Sequence, residues 1–177
     1  MTIGARRMSQ SFLSSVASTS SFATQKRIKS YRLSEWLSSL ANWSHALTLT
    51  MAPTSKGQPP SSQEVLRRCR LFLNRVSRRW YRKRGTKQGY RIASAAFLGW
   101  GAYGLHPHVH WVLEKPVDQS NEDFEWMLMD IAKTTTGLGR QIDIQRYYGP
   151  KWLTYMTSHG FEGWQDCLTF AAKCPEH

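Results

Sequence analysis

Residues 104–114 read Gly104-Leu105-His106-Pro107-His108-Val109-His110-Trp111-Val112-Leu113-Glu114. Successive side chains of a strand point to opposite faces of a sheet, so His108, His110, Val112 and Glu114 share one side and Val109, Trp111 and Leu113 the other. The second set is wholly apolar and suits a core. The first carries two imidazoles side by side, a spacing that lets both rings reach one divalent ion. His106 has the same parity, but Pro107 and the glycines before it put it at the start of the strand, so it is the reserve ligand behind His108 and His110. Glu114 falls toward the surface.

Working outward, His45–Met51 alternates Leu47, Leu49 and Met51 with Thr48 and Thr50, the pattern of a half-buried strand. A Pro- and Gly-bearing loop follows, and Val65, Cys69, Phe72, Leu73, Val76 and Trp80 then recur at helical spacing behind a Ser61 or Ser62 cap. Gly85 should end this helix, just past Lys83-Arg84. Tyr90–Trp100 reads as a second strand, with Gly99, Gly101 and Gly104 turning into the histidine strand as an antiparallel hairpin. Ser120 or Asn121 starts a helix with Phe124, Met127, Leu128 and Ile131 on one face, stopped at Gly137 or Gly139. Gln141–Tyr147 is a fourth strand, and Pro150 opens a last helix, Lys151–His159, closed by Gly160. The order is that of the split βαβ arrangement. It predicts an α+β domain, a ferredoxin/RRM-like antiparallel sheet (βαββαβ plus a C-terminal helix) with helices on one face.

The chain has 177 residues, room for one domain and a tail. Residues 1–40 are expected to be a basic, Ser-rich, poorly ordered arm, 41–160 the folded domain and 161–177 a tail. The arm's composition also fits a transit peptide or an upstream start, and Tyr31–Leu40 has the spacing of a short helix with Leu33, Trp36, Leu37 and Leu40 on one face. Net charge is +12, and no acid lies between Glu64 and Glu114. A merely solvated face would mix both signs, so a polyanion is the implied partner, and Arg75, Arg78, Arg79, Arg82 and Lys83 are its expected contacts. Cys69, Cys167 and Cys174 form no paired motif, which fits a reducing compartment. No apolar run of about 18 residues predicts a membrane span, and the N-terminal stretch lacks the apolar core of a secretory signal.

The His-hydrophobic-His strand, preceded by an apolar/Thr strand, resembles the metal motif of the HUH endonucleases, the family of rolling-circle replication initiators, relaxases and single-strand transposases. Residues about 45–160 carry the resemblance. It implies a bound Mg²⁺ or Mn²⁺, single-stranded DNA at an origin or element end as partner, and a bacterial, cytoplasmic setting. It also implies a tyrosine on the helix after the fourth strand, whose phenol attacks the scissile phosphodiester and keeps a covalent 5′-phosphate link. Tyr155 holds that place. His159, four residues on and on the same face, becomes the third metal ligand, because some members carry a ligand one turn beyond the tyrosine. Many replication initiators have Lys three or four residues after the tyrosine, where this chain has Ser158 and His159. Tyr148-Gly149-Pro150-Lys151 satisfies that spacing, but Gly and Pro disfavour a helical setting, so Tyr148 ranks second and Lys151 is read as a phosphate contact. The implied activity is nicking and rejoining of single-stranded DNA by a replication initiator, with a transposase of the same chemistry as a variant. A non-catalytic RRM-like module that binds single-stranded nucleic acid through basic and aromatic residues is the alternative.

Overall fold

Val109, Trp111 and Leu113 are buried on one side of β3 (Pro107–Leu113), and His108, His110 and Val112 lie on the other. The computed structural model that shows this describes residues 31–100 and 106–159 together with the backbone of 167–170. In chain order the elements are helix α1 (31–38), β1 (His45–Met51), α2 (Ser62–Lys87), β2 (Ser94–Trp100), β3, α3 (Asn121–Thr134), β4 (Leu138–Arg146), α4 (Pro150–His159) and β5 (Cys167–Phe170). The five strands form one antiparallel sheet in the order β4-β1-β3-β2-β5, so the class is α+β.

Thr48 stands opposite His110 on one edge of β3 and Phe97 stands opposite it on the other. The odd-numbered face of β3, with Leu47, Leu49, Ala96 and Leu98, is covered by α2 and α3 through Val65, Cys69, Phe72, Val76, Phe124, Leu128 and Ile131. Phe72 meets Trp111 edge-on at 5.1 Å between ring centroids, a favoured aromatic geometry. Cys69 is part of this core, and burial pushes its thiol up to about 12, which makes it packing rather than a nucleophile.

Arg68 joins α2 to the loops at one end of the sheet. Its buried guanidinium donates to the carbonyls of Ala52 (2.5 Å) and Gly137 (2.7 Å) and to the Glu64 carboxylate (2.8 Å). Gly137 adopts φ 88°, and a Cβ there would meet Arg68 Nε at 2.6 Å, so both backbone conformation and space require glycine. Ser120 caps α3 by accepting the Asp123 N–H. α2 runs past the expected stop at Gly85 but is broken at Arg82, whose φ of 56° is not helical.

Helices cover both faces of the sheet, not one. Ala95, Phe97 and Val112 make an apolar patch on the histidine side, and α1 (Leu33, Leu37) and α4 (Leu153, Met156) bury it. The expected arm therefore ends sooner: residues 31–38 are helical, Leu33 and Leu37 are buried, and the Trp43 indole N–H donates to Leu37 O at 2.8 Å. Gly139 lies inside β4 and Gly99 inside β2, so neither is a turn or stop; Gly101, Gly104 and residues 1–30 lie outside the described residues. In the tail, 167–170 adds a strand along β2.

Two measurements check this packing. Leu37→Ala should lower unfolding free energy by about 2–5 kcal/mol in urea titration; an arm outside the fold would give no change. The Glu64 carboxyl is held down to about 2, chiefly by hydrogen bonds from Arg67 and Arg68. A depressed folded pKa stabilises above the usual carboxylate range and ceases to do so as pH falls through the folded value. The melting-temperature gap between wild type and Glu64→Gln should thus be widest near neutrality and close toward pH about 2.

Candidate active site

On the histidine face, cross-strand register sets Phe97, His110, Thr48 and Asp143 in one row and Gly99, His108 and Thr50 in the next. Toward the α1 side this face is closed by Val112 and the helices, and toward the start of β3 it opens into a cleft of about 720 Å³. The cleft is lined by Thr48, Thr50, His106, His108, His110 and Tyr155, with Trp152 and, from β4, Arg140, Gln141, Ile142 and Asp143.

His110 is the deeper ring, only 4% exposed, with Nδ1 3.0 Å from Thr48 Oγ1. Its ring centroid lies 4.8 Å from that of His108 and 5.3 Å from that of Tyr155, both edge-on. His108 Nδ1 is 3.1 Å from the His106 carbonyl oxygen. A carbonyl only accepts, so the neutral His108 ring carries its proton on Nδ1 and its lone pair on Nε2, the form that ligates a metal.

Tyr155 is 41% exposed on α4, with its ring over His110 and beside Trp152 at 5.5 Å. α4 is set against the sheet by Leu153 and Met156, which leaves positions 152 and 155, one helical turn apart, facing the cleft. The Tyr155 ring, the two imidazoles and an open approach from solvent are thus in one place. Such a set can present a phenol to a phosphodiester beside two nitrogen donors.

No protein-family model matches the chain, and no curated protein or solved structure does.

The residues expected from the sequence divide into four groups. His108, His110, Tyr155 and the exposed His106 line the cleft. Tyr148, 87% exposed, and Lys151 do not line it, and Tyr147 packs against the α1 cluster. Arg75, Arg78, Arg79, Arg82 and Lys83 sit on α2, across the sheet from the cleft, and do not line it. Arg75 is also engaged, donating to the Thr134 carbonyl (2.6 Å) and both Thr134 and Thr135 hydroxyls; it caps the C-terminal end of α3. The His159 side chain lies outside the described residues.

Among the described residues no three of His, Cys, Asp or Glu are grouped to hold a metal ion. The metal-binding side-chain types that line the cleft are the His106, His108 and His110 imidazoles and the Asp143 carboxylate. Glu114 is half-buried beyond β3, its carboxyl raised by burial, and is not part of the cleft.

Four cleft features were readable only once the strands were paired or the last helix was seated. Arg140 supplies the cleft's guanidinium, Trp152 a half-buried ring, and Thr48 a hydrogen bond to His110. The fourth is Gly99, directly opposite His108. A Cβ at this position would lie 2.6 Å from His108 Nε2, so the missing side chain is the space the ring occupies. Gly99→Ala should displace the His108 ring and shift its imidazole resonances, with an unchanged far-UV circular dichroism spectrum. Unmoved His108 resonances would contradict this account of the glycine.

Proposed function

We propose that this protein is a metal-dependent, single-tyrosine endonuclease of the HUH type that nicks and rejoins single-stranded DNA. The observation that carries the reading is the convergence of Tyr155 with His108 and His110 in one solvent-open cleft. The element order β-α-β-β-α-β and the strand sequence β4-β1-β3-β2 support the finer fold reading, a ferredoxin/RRM-like core followed by a helix that carries the tyrosine.

In this reading the Tyr155 phenol oxygen attacks the scissile phosphorus, forming the O–P bond as the P–O3′ bond breaks. The phenol loses its proton, the departing 3′ oxygen gains one, and the 5′ phosphate stays on the enzyme. Attack by a 3′ hydroxyl reverses the step, so the strand is rejoined without an external energy source. His108 and His110 would hold a Mg²⁺ or Mn²⁺, which when bound would supply Lewis acidity toward a phosphate oxygen. Thr48 orients His110 through its Nδ1 contact, and the His106 carbonyl orients His108. Arg140 attracts the strand's phosphates, and the Trp152 ring offers a stacking surface for a base next to the break. The biological setting that fits is initiation of rolling-circle replication, with single-strand transposition as the variant of the same chemistry.

Short single-stranded oligonucleotides incubated with Mn²⁺ should give a covalent protein-DNA band on a denaturing gel. Tyr155→Phe should abolish the band, Tyr148→Phe should retain it, and His110→Ala should reduce it by at least about a hundredfold. A band that survives in Tyr155→Phe and disappears in Tyr148→Phe would move the nucleophile. Binding without any band would leave a non-catalytic RRM-like module that uses Trp152 and Tyr155 for stacking.

A further inference from the structure

The basic residues of α2 have no part in the cleft, because α2 packs on the other face of the sheet. Half a turn around the helix from Val65, Cys69, Phe72 and Val76, the exposed residues Arg67, Arg70, Asn74 and Arg78 recur at i, i+3, i+7 and i+11. At a rise of 1.5 Å per residue this is a straight row about 16 Å long. Arg82 and Lys83, both exposed, continue the positive charge past the break in the helix. Arg67 is paired with Glu64, but among the described residues no carboxylate pairs with Arg70 or Arg78.

We propose that this row is a docking surface for the phosphate backbone of duplex DNA, separate from the cleft. Charge complementarity selects a polyanion. The ring that continues this spacing, Tyr81, is packed against the core and against Tyr90, so the row presents guanidinium groups and an amide, whereas surfaces that grip single strands interleave cations with rings on which bases stack. A rigid, ring-free line of arginines makes contacts to phosphate alone, which position a duplex without reading its sequence. The neighbouring helix α3 exposes Asp123 and Asp130, carboxylates that repel phosphate. Because the sheet lies between them, α2 and the cleft hold different segments of nucleic acid: duplex on one side, single strand on the other. The choice of DNA over RNA rests on the nicking reading above; the existence of the surface does not.

The test is fluorescence anisotropy with a short blunt DNA duplex, repeated over a salt series. Arg70→Glu/Arg78→Glu should weaken duplex binding at least about tenfold and reduce the slope of log affinity against log salt by roughly two. The neutral pair Arg70→Gln/Arg78→Gln should weaken it less, with the same direction of slope change. Arg140→Glu, on the cleft side, should leave the duplex affinity within about twofold. Matched melting temperatures and circular dichroism show that the variants are folded. Duplex affinity and slope unmoved in both pairs would overturn the proposal, as would tighter binding to phosphatidylserine vesicles than to the duplex. Adduct formation by the unaltered protein on a single strand is scored in parallel. Its absence removes the nicking reading, while the two arginine pairs decide the docking surface.

Discussion

Pairing of β3 along both edges in a single register is the constraint on which core and cleft both depend. His110 is fixed between Thr48 and Phe97, and His108 beside Gly99. Since side chains alternate with period two, a slip of one residue would send every side chain of β3 to the opposite face. Trp111 and Leu113 would enter the cleft, and two imidazoles would press on the apolar stripe of α2. Burying a ring nitrogen without a partner costs about 1–3 kcal/mol, and the Trp111 burial would be lost as well. The hydrophobic effect on one face of the strand thereby sets the position of the polar groups on the other.

The strands and the two long helices were legible because each obeys one period. β1, β3 and β4 alternate, and α2 and α3 carry stripes at helical spacing, so their existence and inward faces follow from residue type alone. The histidine pair was legible for the same reason, whereas Tyr155 was singled out by the resemblance to the HUH endonucleases and not by any period. What periodicity could not give was the identity of neighbours brought together by pairing. Arg140 belongs to the cleft because β4 lies next to β1, and Gly99 matters because the hairpin register sets it under a ring. The burial of Ser94–Leu98 on both faces explains why the expectation of helices on one side failed: a strand apolar on both faces requires cover on both. The signal was present in the run Ala95-Ala96-Phe97-Leu98, which does not alternate.

Charge was the least informative cue about location. Arginine density says nothing about which side of a sheet the arginines occupy, and several of them do structural duty. Arg68 ties two loops to α2, and Arg75 satisfies the last carbonyls of α3. Arg146 reaches Glu122 and Glu125, bridging β4 to α3. Guanidinium groups serve this purpose well because their fork meets several acceptors at once.

The place of α1 in the cluster with Leu153 and Met156 bears on how the chain is made. Residues 31–38 leave the ribosome early, yet the surface that covers Leu33 and Leu37 includes a helix near position 155. During synthesis the apolar side of that first helix stays without its cover until nearly the whole sheet has emerged, and contacts of such wide separation in sequence are the slow ones to form. Maturation should therefore capture the first helix and the tyrosine-bearing one in the same late event.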